Sequence, residues 1–326
     1  MQEPATRVAL VQGRGYELAS SKRDRQASAI GDDRRYLLVD VGYVNPILAL
    51  SNRTWSGFAS PDQPYVPKDE RGTPPPDRTD GRVTMQLSVP IAFHLFWDPF
   101  THNEPILNTD YTFGIDLALR RALTKNLELR LGGSKSHIST HLGDEYVISS
   151  SSSDRGPFPF DRVNVSYWPV RGWTSLRYYR IPHWLAEATV EVERIGKGGH
   201  YQLFPGEADP GRVPLIPPTT EAAVTFDVRQ ATGIALDPGS DRVGGHWRGA
   251  ITIANRTVFP YHNGLNAAEK RLQTNVVIGY VLPNRLRLGS RQVMLYGRAF
   301  RGPNPYGQFR NQIDAWFAGL GVAVVP

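Results

Sequence analysis

Asp110 to Arg121 reads D-Y-T-F-G-I-D-L-A-L-R-R. Tyr111, Phe113, Ile115, Leu117 and Leu119 fall on one parity, and Asp110, Thr112, Gly114, Asp116, Ala118 and Arg120 on the other. Successive side chains of a strand point to opposite faces, so this alternation predicts a strand with one apolar and one polar face. Leu127, Leu129 and Leu131 repeat it against Glu128, Arg130 and Gly132. The connection Ala122-Leu123-Thr124-Lys125-Asn126 is short enough for a hairpin.

The same period recurs outward from this pair. It is visible at Val163–Tyr167, Ala186–Glu193, Val224–Arg229, Trp247–Ile253 and Leu272–Tyr280. Further strands are read at Val83–Trp97, Thr174–Arg180, Gln292–Phe300, near Tyr36–Leu50, and at the apolar, Gly-rich end Ile313–Val325. The total is about twelve. A soluble β-sandwich also shows period two, but its strands are usually shorter. Tyr111, Trp173, Tyr178, Trp184, Trp247, Tyr280 and Trp316 lie near segment ends, where a membrane barrel carries an aromatic girdle. The pattern predicts an all-β fold: a transmembrane, antiparallel, up-and-down β-barrel of about twelve strands.

On this reading residues 1–35 are an N-terminal polar segment and residues 36–326 the barrel. Long loops are expected near 61–80, 141–161, 196–221 and 260–270. Pro90 has no backbone donor and a closed barrel has no free edge, so it is expected at a rim, a bulge or the start of a span.

Composition narrows the class. The chain has 326 residues, 40% of them hydrophobic, enough for an extensive buried or lipid-facing surface. Its formal net charge of +6 is spread along the chain without a Lys/Arg cluster among aromatics, so nucleic acid is not an expected partner. Cys is absent, which excludes disulfides, thiolate metal sites and a Cys nucleophile. No apolar run of about 18 residues or more is present, so no transmembrane helix is expected. The start Met1-Gln2-Glu3-Pro4-Ala5 is polar and does not read as a signal peptide. That suits either a cytosolic protein or a mature exported one, and the barrel pattern favours the second. The expected address is the bacterial outer membrane, with outer-membrane lipid as partner and no cofactor.

One segment is specific enough to resemble a known family. His137 to Tyr146 reads H-I-S-T-H-L-G-D-E-Y. It resembles the signature Ser-Ser-His-Leu-Gly-Asp-Glu-Tyr of the bacterial outer-membrane proteins known as domain of unknown function 1207. Ser139, His141, Leu142, Gly143, Asp144, Glu145 and Tyr146 match, and Thr140 replaces the second Ser. Leu107-Asn108-Thr109-Asp110-Tyr111 resembles the family's Leu-Ile-Asn-Ala-Asp-Tyr. Gly302-Pro303-Asn304-Pro305-Tyr306-Gly307-Gln308-Phe309, followed by Gly319-Leu320-Gly321, resembles its C-terminal end. The resemblance runs from about Asp40 to the C-terminus. It implies a membrane barrel at the outer membrane and no particular activity. The chain departs from the usual barrel ending, an aromatic residue, by closing on Val324-Val325-Pro326.

The motif also carries the candidate chemistry. Ser139 and His141 share a strand face, so His141 is a candidate base, with Asp144 or Glu145 to orient it or to hold a cation. A lipid-acting hydrolase is therefore one alternative. Against it, no Gly-x-Ser-x-Gly elbow occurs. The structural alternative makes Gly143 a turn and places His141, Asp144 and Glu145 in a lumenal polar cluster with Arg120, Arg130 and Arg177. His137 and His141 would sit about 13 Å apart on a strand, too far for a metal pair. Glu187, Glu191 and Glu193 form a lumenal row that either attracts cations or is balanced by Arg on the next strand. Gly13-Arg14-Gly15 and Gly196-Lys197-Gly198-Gly199 are too short for phosphate loops and read as flexible connections. The leading expectation is a channel-like or structural barrel with a polar, charged lumen; a surface module that binds through its long loops is a further alternative.

Overall fold

The computed structural model describes residues 6–14, 34–51, 83–97, 99, 106–124, 126–142, 163–180, 184–196, 200–203, 218–231, 245–258, 268–283, 292–304 and 314–325. The strands are β1 (Thr6–Arg14), β2 (Arg34–Ser51), β3 (Val83–Trp97), β4 (Ile106–Thr124), β5 (Leu127–Leu142), β6 (Val163–Tyr167) and β7 (Pro169–Arg180). They continue as β8 (Trp184–Ile195), β9 (His200–Leu203), β10 (Thr219–Ala231), β11 (His246–Val258), β12 (Glu269–Val281), β13 (Gln292–Gly302) and β14 (Ala315–Val325).

Every pairing is antiparallel, and β1 pairs with both β2 and β14, so the sheet closes on itself. β6 and β7 keep one register against β5, with Ile138 opposite Tyr167 and Lys135 opposite Val170, so they are one strand interrupted at Trp168. β9 continues β8 along the same neighbour, with the register shifted by two residues: Ile195 of β8 is opposite Pro169, and His200 of β9 is opposite Ser166 of β6. The closed, up-and-down barrel therefore has twelve strands.

The register fixes its shape. Arg180 lies opposite Trp184, and that row continues through Gln230, Trp247, Tyr280, Leu295, Val322, Val8, Val39, Leu95 and Thr109 to His141. The β5–β6 register then carries it to position 164, sixteen residues from Arg180 on the same strand. Twelve strands with that stagger imply a tilt of about 45° and a backbone radius of about 12 Å. The chain enters β1 and leaves β14 at one end, where the β4–β5 and β7–β8 connections are also shortest. We call this the turn end and the other the loop end.

The outer surface is apolar. Ile115, Val170, Val190, Phe226, Ile278 and Leu320 point outward and are 50–75% exposed (Ile115 59%, Val170 53%, Val190 54%, Phe226 50%, Ile278 59%, Leu320 75%). Phe113, Leu117 and Ile251 are exposed and Leu129 half-exposed, on the expected face. So large an apolar belt has no aqueous explanation and marks lipid contact. Trp168 and Tyr178 bound it on β7, ten residues apart. At about 3.3 Å per residue and the tilt above, they lie about 24 Å apart along the axis, the height of a barrel's apolar band. Trp184 and Trp247 join Tyr178 at the turn end; Tyr111 joins Trp168 at the loop end. No helix of the described residues is long and apolar enough to cross a membrane; the chain crosses with strands.

Several expectations need correction. The N-terminal stretch is not outside the barrel: β1 closes it. At its centre the inward residues Ala9 and Val11 are apolar and buried, and the outward Val8 and Leu10 are apolar too; the inward charge is Arg7 and the outward polar residue is Gln12, so neither parity is polar and the alternation is erased. Pro90 sits within β3, opposite Val44, rather than at a rim, bulge or strand start. The missing donor is accommodated on its other side, where the β3–β4 pairing lapses between Ser88 and Ile91. Register shifts lie instead at Pro46–Leu48 of β2, at Phe96–Trp97 of β3 against β4, and at Ala122–Thr124 of β4. Trp173 is buried and inward, whereas Trp168 belongs to the girdle. Within the expected loop 196–221, residues 200–203 form β9. Residues 61–80, 143–161 and 260–267 lie outside the described residues.

Candidate functional site

The lumen is divided by its sequence. On β1–β3 and β12–β14 the inward side chains form a buried apolar cluster that includes Val11, Tyr36, Phe96, Met294, Phe300 and Phe317. Phe300 and Phe317 stack with centroids 4.8 Å apart, and the Arg298 guanidinium lies 5.0 Å from the Phe317 ring centre. Arg298 Nε donates to Asn275 Oδ1 at 2.7 Å. His94 Nδ1 lies 2.9 Å from Asp40 Oδ1 beside it.

On β5–β12 the inward positions carry charge, and the charges are paired across strands. Arg177 donates from Nε (2.9 Å) and Nη2 (2.6 Å) to Glu187 Oε2. Arg130 Nη1 (3.3 Å) and Ser175 Oγ (2.5 Å) donate to Glu187 Oε1. Arg171 Nη2 donates to Glu193 at 2.7 Å, and its Nε is 3.4 Å from Glu191. Arg248 pairs with Asp227, and Arg256 Nη1 donates to Glu221 Oε2 at 2.8 Å. The Thr257 amide donates to the other Glu221 oxygen at 2.9 Å. Antiparallel register places most of these partners directly or diagonally opposite on neighbouring strands, and Arg130 reaches Glu187 across β7, past Ser175. The Glu187, Glu191 and Glu193 row is therefore the balanced one, not a bare acidic wall.

The predicted cluster around the motif is not one site. Arg130 and Arg177 serve Glu187, near the turn end. Arg120 lies opposite Arg130 and is half-buried. His141 lies opposite Thr109 at the loop end of β5, eleven residues or about 36 Å from Arg130 along the strand. No arginine side chain spans that distance. Asp144 and Glu145, and the side chain of His141, lie outside the described residues. Ser139 is half-buried opposite Tyr111 and shares its strand parity with His137 and position 141.

Among the described side chains the structure brings His137 beside a serine. His137 Nε2 is 3.4 Å from Ser166 Oγ, on the outer face, and its Nδ1 has no hydrogen-bond partner among the described residues. That ring packs on Trp168 (4.6 Å) and Phe113 (5.1 Å). A nucleophile–base pair needs a closer contact and a third group that orients the base. Lys135 is exposed on the same face, its Nζ 5.8 Å from the Trp168 ring centre. Sequence reading missed Ser166, Trp168, Arg171, Asp227, Arg248, Glu221 and Arg256; period two gives their face, but the partners depend on long-range register. Among the described residues no group of three or more His, Asp or Glu is placed to hold a metal ion.

No protein-family model matches the chain, and no curated protein does. Among solved structures it is similar to outer membrane phospholipase A from Escherichia coli, at 12% identity and TM-score 0.43 over 98% of this chain and 89% of that one. It is also similar to the β domain of the Bordetella autotransporter Brka, at 12% and 0.40 over 99% and 98%, and to LpxR from Salmonella typhimurium, at 13% and 0.37 over 98% and 100%. All three chains are matched over most of their length. At these values none of them says what this chain acts on.

Proposed function

We propose that the protein is a structural barrel of the bacterial outer membrane whose lumen is filled rather than open. The observation that carries this reading is the state of the inward side chains. Phe96, Phe317, Met294, Ile195 and Glu221 are 0–1% exposed (Phe96 0%, Phe317 1%, Met294 1%, Ile195 0%, Glu221 1%), although their strands form a ring wide enough for water. The charges on the remaining wall are spent on each other, so few stay available to attract or select a solute. β1 starts and β14 stops at the turn end, which also holds the two shortest connections, β4–β5 and β7–β8, together with the longest, β2–β3; on this reading that end faces the periplasm. The motif at Ser139 to Tyr146 supports membership of the family known as domain of unknown function 1207, as a resemblance.

A solute-swelling assay tests the reading. Vesicles containing the folded protein should swell in small sugars no faster than empty vesicles. Swelling that scales with protein content and falls with sugar size would establish an open pore instead. The hydrolase alternative keeps its own test: ester cleavage of phospholipid in those vesicles, abolished by His141→Ala or by His137→Ala.

A further inference from the structure

Two cations stand on the lipid-facing surface with no anion beside them among the described residues. Lys135 of β5 and Arg194 of β8 are exposed and both lie opposite Val170 of β7, one on each side. Adjacent strands are about 4.8 Å apart, so the two backbones are separated by about 10 Å, within the reach of both long side chains. Neither makes an ion pair among the described residues. The outward neighbours on the flanking strands are Phe113, Ile115 and Leu117 of β4, Val190 and Val192 of β8, and Thr220 and Ala222 of β10. None of them is acidic. Inside the barrel, by contrast, every arginine of β7 and β11 described above is ion-paired with a carboxylate.

Their depth is specific. Trp168 lies two residues beyond Val170 toward the loop end, at the upper edge of the apolar band, and Lys135 turns its ammonium toward that ring. Below lie Val170, Ile115, Val190 and Val192, all 46–59% exposed (Val170 53%, Ile115 59%, Val190 54%, Val192 46%), a surface for acyl chains. A cation at this level is next to lipid and needs a counter-charge from the membrane itself. We propose that Lys135, Arg194 and Trp168 form a site for the phosphate of a membrane lipid seated in the leaflet at the loop end, its chains on the apolar patch below. Arg supplies a planar fork of donors to the phosphate, Lys a point charge, and Trp168 the amphipathic edge between headgroup and chains. The site does not depend on the lumen: an open pore would leave it unchanged.

The test uses the whole folded protein in a non-ionic detergent, with retained lipid counted by native mass spectrometry. Dioleoyl phosphatidic acid is compared with dioleoylglycerol, which has the same chains and no phosphate. The expected result is at least about fivefold preference for the phosphatidic acid, lost in Lys135→Ala/Arg194→Ala and kept in Arg121→Ala, an outward cation at the other end. Inorganic phosphate at the same concentration should not displace the lipid. Equal retention of the two lipids, a preference unchanged in the double variant, or displacement by inorganic phosphate would overturn the proposal. If the double variant does not fold, Lys135→Gln and Arg194→Gln are measured singly, and each should lower the preference; no change in either would overturn it as well.

Discussion

Arg177 and Glu187 face each other directly across the β7–β8 ladder, and the guanidinium donates two hydrogen bonds, at 2.9 and 2.6 Å, to one carboxylate oxygen. Arg130 and Ser175 occupy the other oxygen, so Glu187 is the hub of the polar wall. Both side chains of the central pair are nearly buried, 9% and 12% exposed. Removing the carboxylate takes two hydrogen bonds from Arg177 and leaves Arg130 with the longer contact to Glu128, at 3.8 Å.

Glu187→Ala should therefore destabilise the barrel by about 2–4 kcal/mol, toward the cost of leaving buried charges unpaired. The measure is a urea titration of the protein folded in vesicles. A double-mutant cycle with Arg177→Ala should return a coupling of about 1–3 kcal/mol. A coupling near zero would show that water in the lumen already screens the pair.

The outer face gives a prediction of opposite kind. Ile115 lies between the two aromatic belts and is 59% exposed, with no protein group to meet a charge. Ile115→Arg should cost about 2–4 kcal/mol in the same titration, and Val322→Arg, on another exposed strand position, a comparable amount. An inward-facing site would tolerate the change far better, so stability within about 0.5 kcal/mol of the parent would invert the assigned faces.

Gly132 lies opposite Trp173, and the indole packs over it. A Cβ there would come within 2.6 Å of the Trp173 ring and 2.5 Å of the Leu117 carbonyl oxygen. Gly132→Val should push the ring from its place and destabilise the barrel by about 1–3 kcal/mol, the usual range for overpacking. The near-ultraviolet circular dichroism should change with it. Gly172→Val is the control, since nothing lies within 4 Å of the Cβ it would gain.

The strand count was legible because one face of most strands meets lipid and the other meets paired charge, which preserves period two. Two readings failed for opposite reasons, and together they left the total unchanged. β1 is hidden because its central inward residues, Ala9 and Val11, join the apolar cluster, while the charge Arg7 faces in and Gln12 faces out, so neither parity reads as polar. Val163–Tyr167 and Thr174–Arg180 were read as two strands because Pro169 and the interruption at Trp168 hide their common register. The lumenal row Glu187, Glu191 and Glu193 was visible in the sequence; Arg171 as partner to two of them was not. For the motif, the error was one of distance: His141 and Arg130 share β5, and strand rise alone separates them by about 36 Å. The outer pair Lys135 and Arg194 is invisible locally, since only the β5–β7–β8 register brings it together.

The central claim is that the lumen is filled by its own side chains. Single-channel recording in a planar bilayer tests it directly. The account predicts no stable conductance steps from the parent protein at low voltage, and steps from a variant in which Phe96 and Phe317 are both replaced by Ala, which removes the largest buried side chains of the apolar wall. Regular, long-lived steps from the parent, unchanged in that variant, would contradict it.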